Sequence, residues 1–316
     1  SMEQLLNVHR AFGVSPSRDG RTLAFLSDAP GLAQVFTART TPDSIEPLAE
    51  SAWTRRTRFD DRVQFVHHTS DDRFLFMGRD HGGDENTQLL RAPGPAGDAT
   101  ELTRAPRVKH LFGALSHDGR FVAYSSNERS PGDFDVYVAP VDQATPPRRV
   151  FERVGHYEAV TFSPDGSQLI VQHERSNSDN DLHLVSLAPT SSLPPAALLT
   201  AHQGTERFYY ARWARDGRSL LLATDRGHDM LTVSRMPLEG TSAGGPITTL
   251  LDEPHDADLM ELSPDGATLA VAFNVDGWTD LRLYDATDPS RLRQRALASL
   301  PRSVVTSMEF SGDSAT

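Results

Sequence analysis

A short polar turn recurs along this chain at nearly constant spacing, and that period restricts the possible folds more than any other feature. The turn reads PSRDG at Asp19, SDDR at Asp72, SHDG at Asp118, SPDG at Asp165, ARDG at Asp216, SPDG at Asp265 and SGDS at Asp313. From Asp19 to Asp313 the spacing averages about 49 residues, the range of a repeat architecture. Asp-Gly between two short apolar runs is a strong hairpin signal, because a tight primed turn needs positive φ and glycine supplies it without steric cost.

Each copy carries the same parts. In the third, Ser116 to Val138, a short apolar segment ends at Ser116, Phe121-Val122-Ala123-Tyr124 follows the turn, and Asp135-Val136-Tyr137-Val138 comes after a polar loop. A weaker fourth run closes most copies, as in Arg149-Val150-Phe151 and Leu198-Leu199-Thr200. The runs are short, alternate in polarity and favour β-formers, and no stretch shows a helical stripe. Four antiparallel strands per unit of this length mark a propeller blade, which needs neighbours on both faces.

The expected fold is therefore all-β, a seven-bladed β-propeller forming one domain over residues 1–316. Six repeats are complete. The seventh has only a first strand, Thr306 to Phe310, before the chain stops at Thr316. That stop suggests a fragment of a longer protein whose open sheet edge favours self-association. Ser1-Met2 resembles a vector remnant.

Composition narrows the function. A net charge of −12 argues against a nucleic-acid partner. No apolar run is long enough for a membrane span, and SMEQLLNVHR lacks the start of a secretory signal. With no cysteine, disulfides and thiolate sites are excluded, which suits a cytoplasmic location.

Four loops go beyond a generic propeller: GRDHGGDENTQLLRA (Gly78 to Ala92), SSNERSPGDFDVYV (Ser125 to Val138), SNSDNDLHLVSL (Ser176 to Leu187) and NVDGWTDLRLYD (Asn274 to Asp285). Together they resemble the prolyl oligopeptidase family of serine peptidases, in particular the propeller of its acylaminoacyl-peptidase and dipeptidyl-aminopeptidase branches. The resemblance implies an α/β-hydrolase domain beyond residue 316 that supplies Ser, Asp and His, with the propeller restricting access to oligopeptides. SPDG alone also marks Tol-type propellers, so a protein-interaction platform is the alternative. A propeller enzyme with a central metal ranks last, because first-strand residues are mostly apolar or small.

No catalytic residue, cofactor or metal is expected in this chain. Gly113-Ala114-Leu115-Ser116 has the wrong spacing for a nucleophile elbow and lies inside a repeat strand. Asp84-Glu85-Asn86 and Asp179-Asn180-Asp181 lack the full calcium series and read as turns. His67 and His68 adjoin on a strand and point to opposite faces. Trp213 and Trp278 read as blade-packing aromatics. The loops between second and third strands carry Asp84, Glu85, Glu128, Arg129, Asp133, Asp179 and Asp229. By the resemblance, propeller residues of such loops reach the substrate's amino end or the domain interface, and Glu85, Glu128 and Arg129 are the candidates.

Overall fold

The repeated turn is a Ser-x-Asp network. In the fourth copy the Ser163 hydroxyl donates to Asp165 Oδ1 at 2.6 Å and accepts the Gln168 N–H at 2.9 Å, while the Ser167 N–H donates to Asp165 Oδ1 at 3.0 Å. Gly166, at φ +69, donates its N–H to the Ser163 carbonyl. Ser17, Ser116 and Ser263 repeat this pattern with Asp19, Asp118 and Asp265. The connection is thus a five-residue loop around a glycine-closed turn. The two-residue primed turn expected from Asp-Gly is not formed, because the hydroxyl and carboxylate satisfy backbone donors that such a turn would leave to the ladder.

One register in the period changes accordingly. In the second copy Thr69 donates to Asp71, so Asp71 takes the place of Asp19, and Asp72 occupies the glycine position at φ +57. Asp tolerates that left-handed conformation, and the Asp72 carboxylate accepts the Arg18 N–H at 2.9 Å.

The computed structural model describes residues 9–41, 48–94, 97–189, 192–239, 243–297 and 300–314. The first repeat pairs Ala11–Pro16, Thr22–Ser27, Gln34–Arg39 and Thr54–Arg55. The second pairs Val63–His68, Phe74–Arg79, Gln88–Pro93 and Thr100–Glu101. The third is His110–Leu115, Phe121–Ser130, Asp133–Pro140 and Arg148–Phe151; the fourth is His156–Phe162, Gln168–Ser176, Asp179–Ser186 and Ala196–Leu198. The fifth joins Phe208–Trp213, Ser219–Thr224, Thr232–Glu239 and Thr248–Leu251, with Ala243–Gly244 as an added strand. The sixth joins Ala257–Leu262, Thr268–Val275, Trp278–Asp285 and Arg293–Arg295. Among the described residues the only helix is the 3-10 turn Glu50–Ala52.

The all-β expectation holds, but seven blades are not formed. The strands make four separate blades and one eight-stranded sheet. The large sheet unites the third and fourth repeats through a parallel bridge between Phe134 and His156. The cause is local: the Phe134 N–H donates to the Gly155 carbonyl at 2.9 Å, so the start of one repeat's third strand lies alongside the start of the next repeat's first strand. Thr306 to Phe310, where the repeat predicts a seventh first strand, contains no strand. The segment leading into it meets the sixth repeat through the Thr279 N–H to the Ser303 carbonyl and the Val305 N–H to Thr279 Oγ1, among other contacts. Without a hairpin partner a strand has no ladder.

The chain divides into two compact units, Ser1–His110 with Ser311–Thr316, and Leu111–Phe310. In the first, Leu26, Val35, Val63, Leu75 and Met77 pack between the first two repeats. In the second, Val136, Phe151, Tyr157 and Val171 lie between repeats three and four, and Ile170, Leu182, Phe208 and Trp213 between four and five. Leu221, Val233, Met260 and Phe273 lie between five and six. Each blade therefore buries an apolar face against its neighbour, at roughly 25 cal/mol per Å² removed from water. First strands carry a register shift in the first, second, fourth, fifth and sixth repeats, as at Ala159/Thr161 and Ala257/Leu259. An extra residue there increases the local twist, which suits wedge-like packing of blades.

Candidate functional site

The charged loops between second and third strands are built by the same repeat logic as the turns. Arg129 is followed by Asp133 and Asp135, and Arg175 by Asp179 and Asp181, at identical spacing. Long hairpins carry both sets past the body of the sheet. Arg129 grips Asp135 at two points, Nε to Oδ2 at 2.8 Å and Nη2 to Oδ1 at 3.0 Å, and donates to the Arg153 carbonyl at 2.9 Å. Asp133 accepts the Gly155 N–H at 2.8 Å, tying the hairpin to the entry of the next repeat. The Asp135 contact foremost holds the Arg129 guanidinium above its ordinary range.

In the fourth repeat Arg175 contacts Asp179, Nε to Oδ2 at 2.6 Å, and Asp181. His202, almost wholly buried, joins them: Nε2 lies 2.9 Å from Asp179 Oδ1, and Nδ1 lies 2.8 Å from the Thr200 carbonyl. Burial pulls the imidazole down, but the Thr200 carbonyl and the carboxylates outweigh it and raise it above its usual value. Arg175 foremost holds Asp179 well below the usual carboxylate range. Between them Asn180 faces the fifth repeat, accepting the Phe208 N–H at 2.7 Å and donating to its carbonyl at 2.9 Å. Asp179-Asn180-Asp181 is thus an internal clamp.

The named candidates occupy different surroundings. Glu85 is exposed in a loop at φ +61, next to Asp84, whose carboxylate accepts the Asn86 N–H at 2.9 Å. Glu128 is exposed on the third-repeat hairpin, and its charge acts on the stacked phenols of Tyr124 and Tyr137. Arg129 is committed to Asp135. Glu128 and Arg129 share a hairpin in the second unit, whereas Glu85 belongs to the first. Asp229 is outside any strand, beside His228.

His68 Nδ1 lies 2.9 Å from the Ser15 carbonyl while His67 lies against Phe65, so the two do not share a site. Trp213 is buried, but Trp278 is 40% exposed at the head of its strand, with the Arg302 guanidinium 4.4 Å from its ring. Gly113 serves packing: a Cβ there would stand 2.5 Å from that of Ala159.

Sequence reasoning missed two things. Gly240-Thr241-Ser242-Ala243-Gly244 has the spacing of a nucleophile elbow. Residues 240–242 lie outside the described residues, but the flanks pair antiparallel, Leu238 with Gly244, whereas an elbow leads from a strand into a helix. First strands also carry more polarity than expected. Arg212 reaches across to Glu261 of the next repeat at 2.7 Å, and Tyr210, at φ +54, donates its hydroxyl to the Asp258 carbonyl. A cross-repeat charge pair leaves no local signal in the chain.

Solved structures share this architecture. Prolyl oligopeptidase B from Galerina marginata aligns with a TM-score of 0.69 at 12% identity, over 92% of this chain and 44% of that one. A puromycin-hydrolyzing peptidase of Mycobacterium tuberculosis gives 0.67 at 14%, over 92% and 46%. TolB from Acinetobacter baumannii gives 0.57 at 14%, over 93% and 66%. The chain thus spans less than half the length of these two peptidases. Identities this low establish the fold alone. No curated protein matches the sequence. The pattern of the prolyl oligopeptidase N-terminal beta-propeller domain matches residues 148–315, more than half of the chain, and the protein belongs to that family.

Proposed function

We propose that this chain is the non-catalytic, substrate-gating propeller of an oligopeptide-cleaving serine peptidase of the acylaminoacyl or dipeptidyl type. The family match over residues 148–315 carries this reading. In it, an α/β-hydrolase domain beyond residue 316 provides the nucleophile, base and orienting carboxylate, and the chain alone is inert. The loops between second and third strands face that domain and the peptide. Glu85 and Glu128 offer exposed carboxylates to a substrate's amino group, and Arg129 holds the hairpin that presents Glu128. A cytoplasmic location fits the absence of cysteine, and no described helix is long and apolar enough to cross a membrane. Exposed Leu297, Leu300 and Val304 favour self-association of the chain.

The test is expression of the native reading frame to its stop codon beside the 316-residue chain. The longer protein should cleave acyl-aminoacyl or dipeptidyl chromogenic amides and be blocked by an active-site serine reagent, while the chain alone should show no turnover. Likeness to TolB supports the second reading, a protein-interaction platform. A reading frame that closes without a hydrolase domain would favour it.

A further inference from the structure

The first and second strands of the fourth repeat bring together three side chains that are far apart in the sequence. His156 and Glu158 alternate on one face of His156–Phe162, and Glu174 of Gln168–Ser176 stands directly opposite His156 in the ladder. His156 Nε2 lies 2.6 Å from Glu158 Oε1, and one ligand atom from each of the three side chains lies within 4.8 Å of the others. All three are half-buried. Phe134 stacks on the imidazole at 4.5 Å between centroids and limits its rotation.

The charge pattern around this cluster is unlike that of its neighbours. Asp133 and Asp135 are met by Arg129, Asp179 and Asp181 by Arg175, Asp225 by Arg207, and Glu206 by Arg226. Among the described residues, Glu158 and Glu174 have no arginine or lysine ion pair; the ion pair of Glu158 is with His156, and Glu174 lies within 4.8 Å of both. The nearby Tyr209 hydroxyl donates to the Asn177 carbonyl. Two adjacent carboxylates that share one imidazole repel each other unless a cation or proton intervenes.

We propose that His156, Glu158 and Glu174 bind one divalent transition-metal cation, with Zn²⁺ the best match. One imidazole and two carboxylates are borderline-to-hard donors, and three protein ligands leave a fourth position for water or an oxygen of an incoming peptide. Tetrahedral bonds of about 2.0–2.1 Å place ligand atoms about 3.3 Å apart. The cluster therefore needs to contract by roughly 1.5 Å at its widest, within reach of glutamate rotamers on a fixed strand pair. Binding would replace the His156–Glu158 hydrogen bond with two metal bonds. The site is separate from the arginine clamps and requires none of their residues.

Calorimetric titration of the 316-residue chain with Zn²⁺ in a non-chelating buffer tests this. Saturable binding of one equivalent is expected. His156→Ala and Glu174→Gln should each weaken it at least tenfold, and His81→Ala, in the first unit, should leave it unchanged. No saturable binding, or binding indifferent to both site variants, would overturn the proposal. Should a variant lose its fold by circular dichroism, the histidine ¹⁵N spectrum of the unaltered chain decides. Zn²⁺ must then shift Nε2 of His156, and a shift confined to other histidines counts against the site.

Discussion

The guanidinium of Arg129 closes on the carboxylate of Asp135 at 2.8 and 3.0 Å, and Asp135 is wholly withdrawn from solvent. A carboxylate in that position needs its cation, since an unpaired buried charge is among the most destabilising features a fold can hold. Arg149, 3.5 Å away, supplies only a secondary contact.

Arg129→Ala should therefore lower the melting temperature by several degrees, and adding Asp135→Asn should recover part of the loss. Glu128→Gln, on the same hairpin but exposed, should leave it nearly unchanged. Thermal unfolding of the three variants checks this. Equal melting temperatures for Arg129→Ala and the parent would show that the pair does not hold the hairpin.

Ser163→Ala removes the donor to Asp165 and the acceptor of the Gln168 N–H in one step. A loss of about 1–2 kcal/mol is expected, on the scale of one or two net hydrogen bonds. Ala214→Ser should add little, because Ser219 already donates its hydroxyl to Asp216 at 2.8 Å in that copy. Urea unfolding of both variants measures the difference.

His183 is 3% exposed, its Nδ1 has no hydrogen-bond partner, and burial foremost pushes it down to about 4. The unfolded chain protonates near the ordinary histidine value of about 6.5. Between those values the unfolded state binds the extra proton, so stability is full above about pH 6.5 and falls as pH drops toward 4. The loss attributable to this residue is on the order of 3 kcal/mol. His202 acts in the opposite sense, because its raised value stabilises the fold below about pH 6.5. His183→Leu should flatten the acid side of the stability profile between pH 6.5 and 4, and urea midpoints across that range would show it. An unchanged slope would mean that His183 titrates as it does in the unfolded chain.

If the chain gates a peptidase as proposed, Glu85→Gln and Glu128→Gln in the longer protein should leave melting temperature in place. Loss of a charge-assisted contact to the peptide's amino group at either position should reduce kcat/KM about ten- to a hundredfold. Unchanged turnover at both would make them ordinary solvated loop charges.

By itself the sequence determined the repeat, the hairpins and the family. These rest on local chemistry: a serine, an aspartate and a glycine within five residues close each turn, and β-forming runs on either side can follow only one way. Even there, the hydroxyl network and the shift from Asp72 to Asp71 emerged only in the structure, because Asp-Asp reads ambiguously without its partner Thr69. Tertiary structure alone decided the number of separate sheets, since the joining of two repeats at Phe134 and His156 depends on how one hairpin meets the next strand. It also decided which loop charges are free and which are held. Glu128 and Arg129 are neighbours of equal promise in the sequence, yet the backbone turns one outward and the other onto a buried Asp135. Likewise His156 and Glu174, eighteen residues apart, become opposite partners through the register of a ladder. Register is set by the summed packing of both faces of a blade, and a single chain segment does not contain that information.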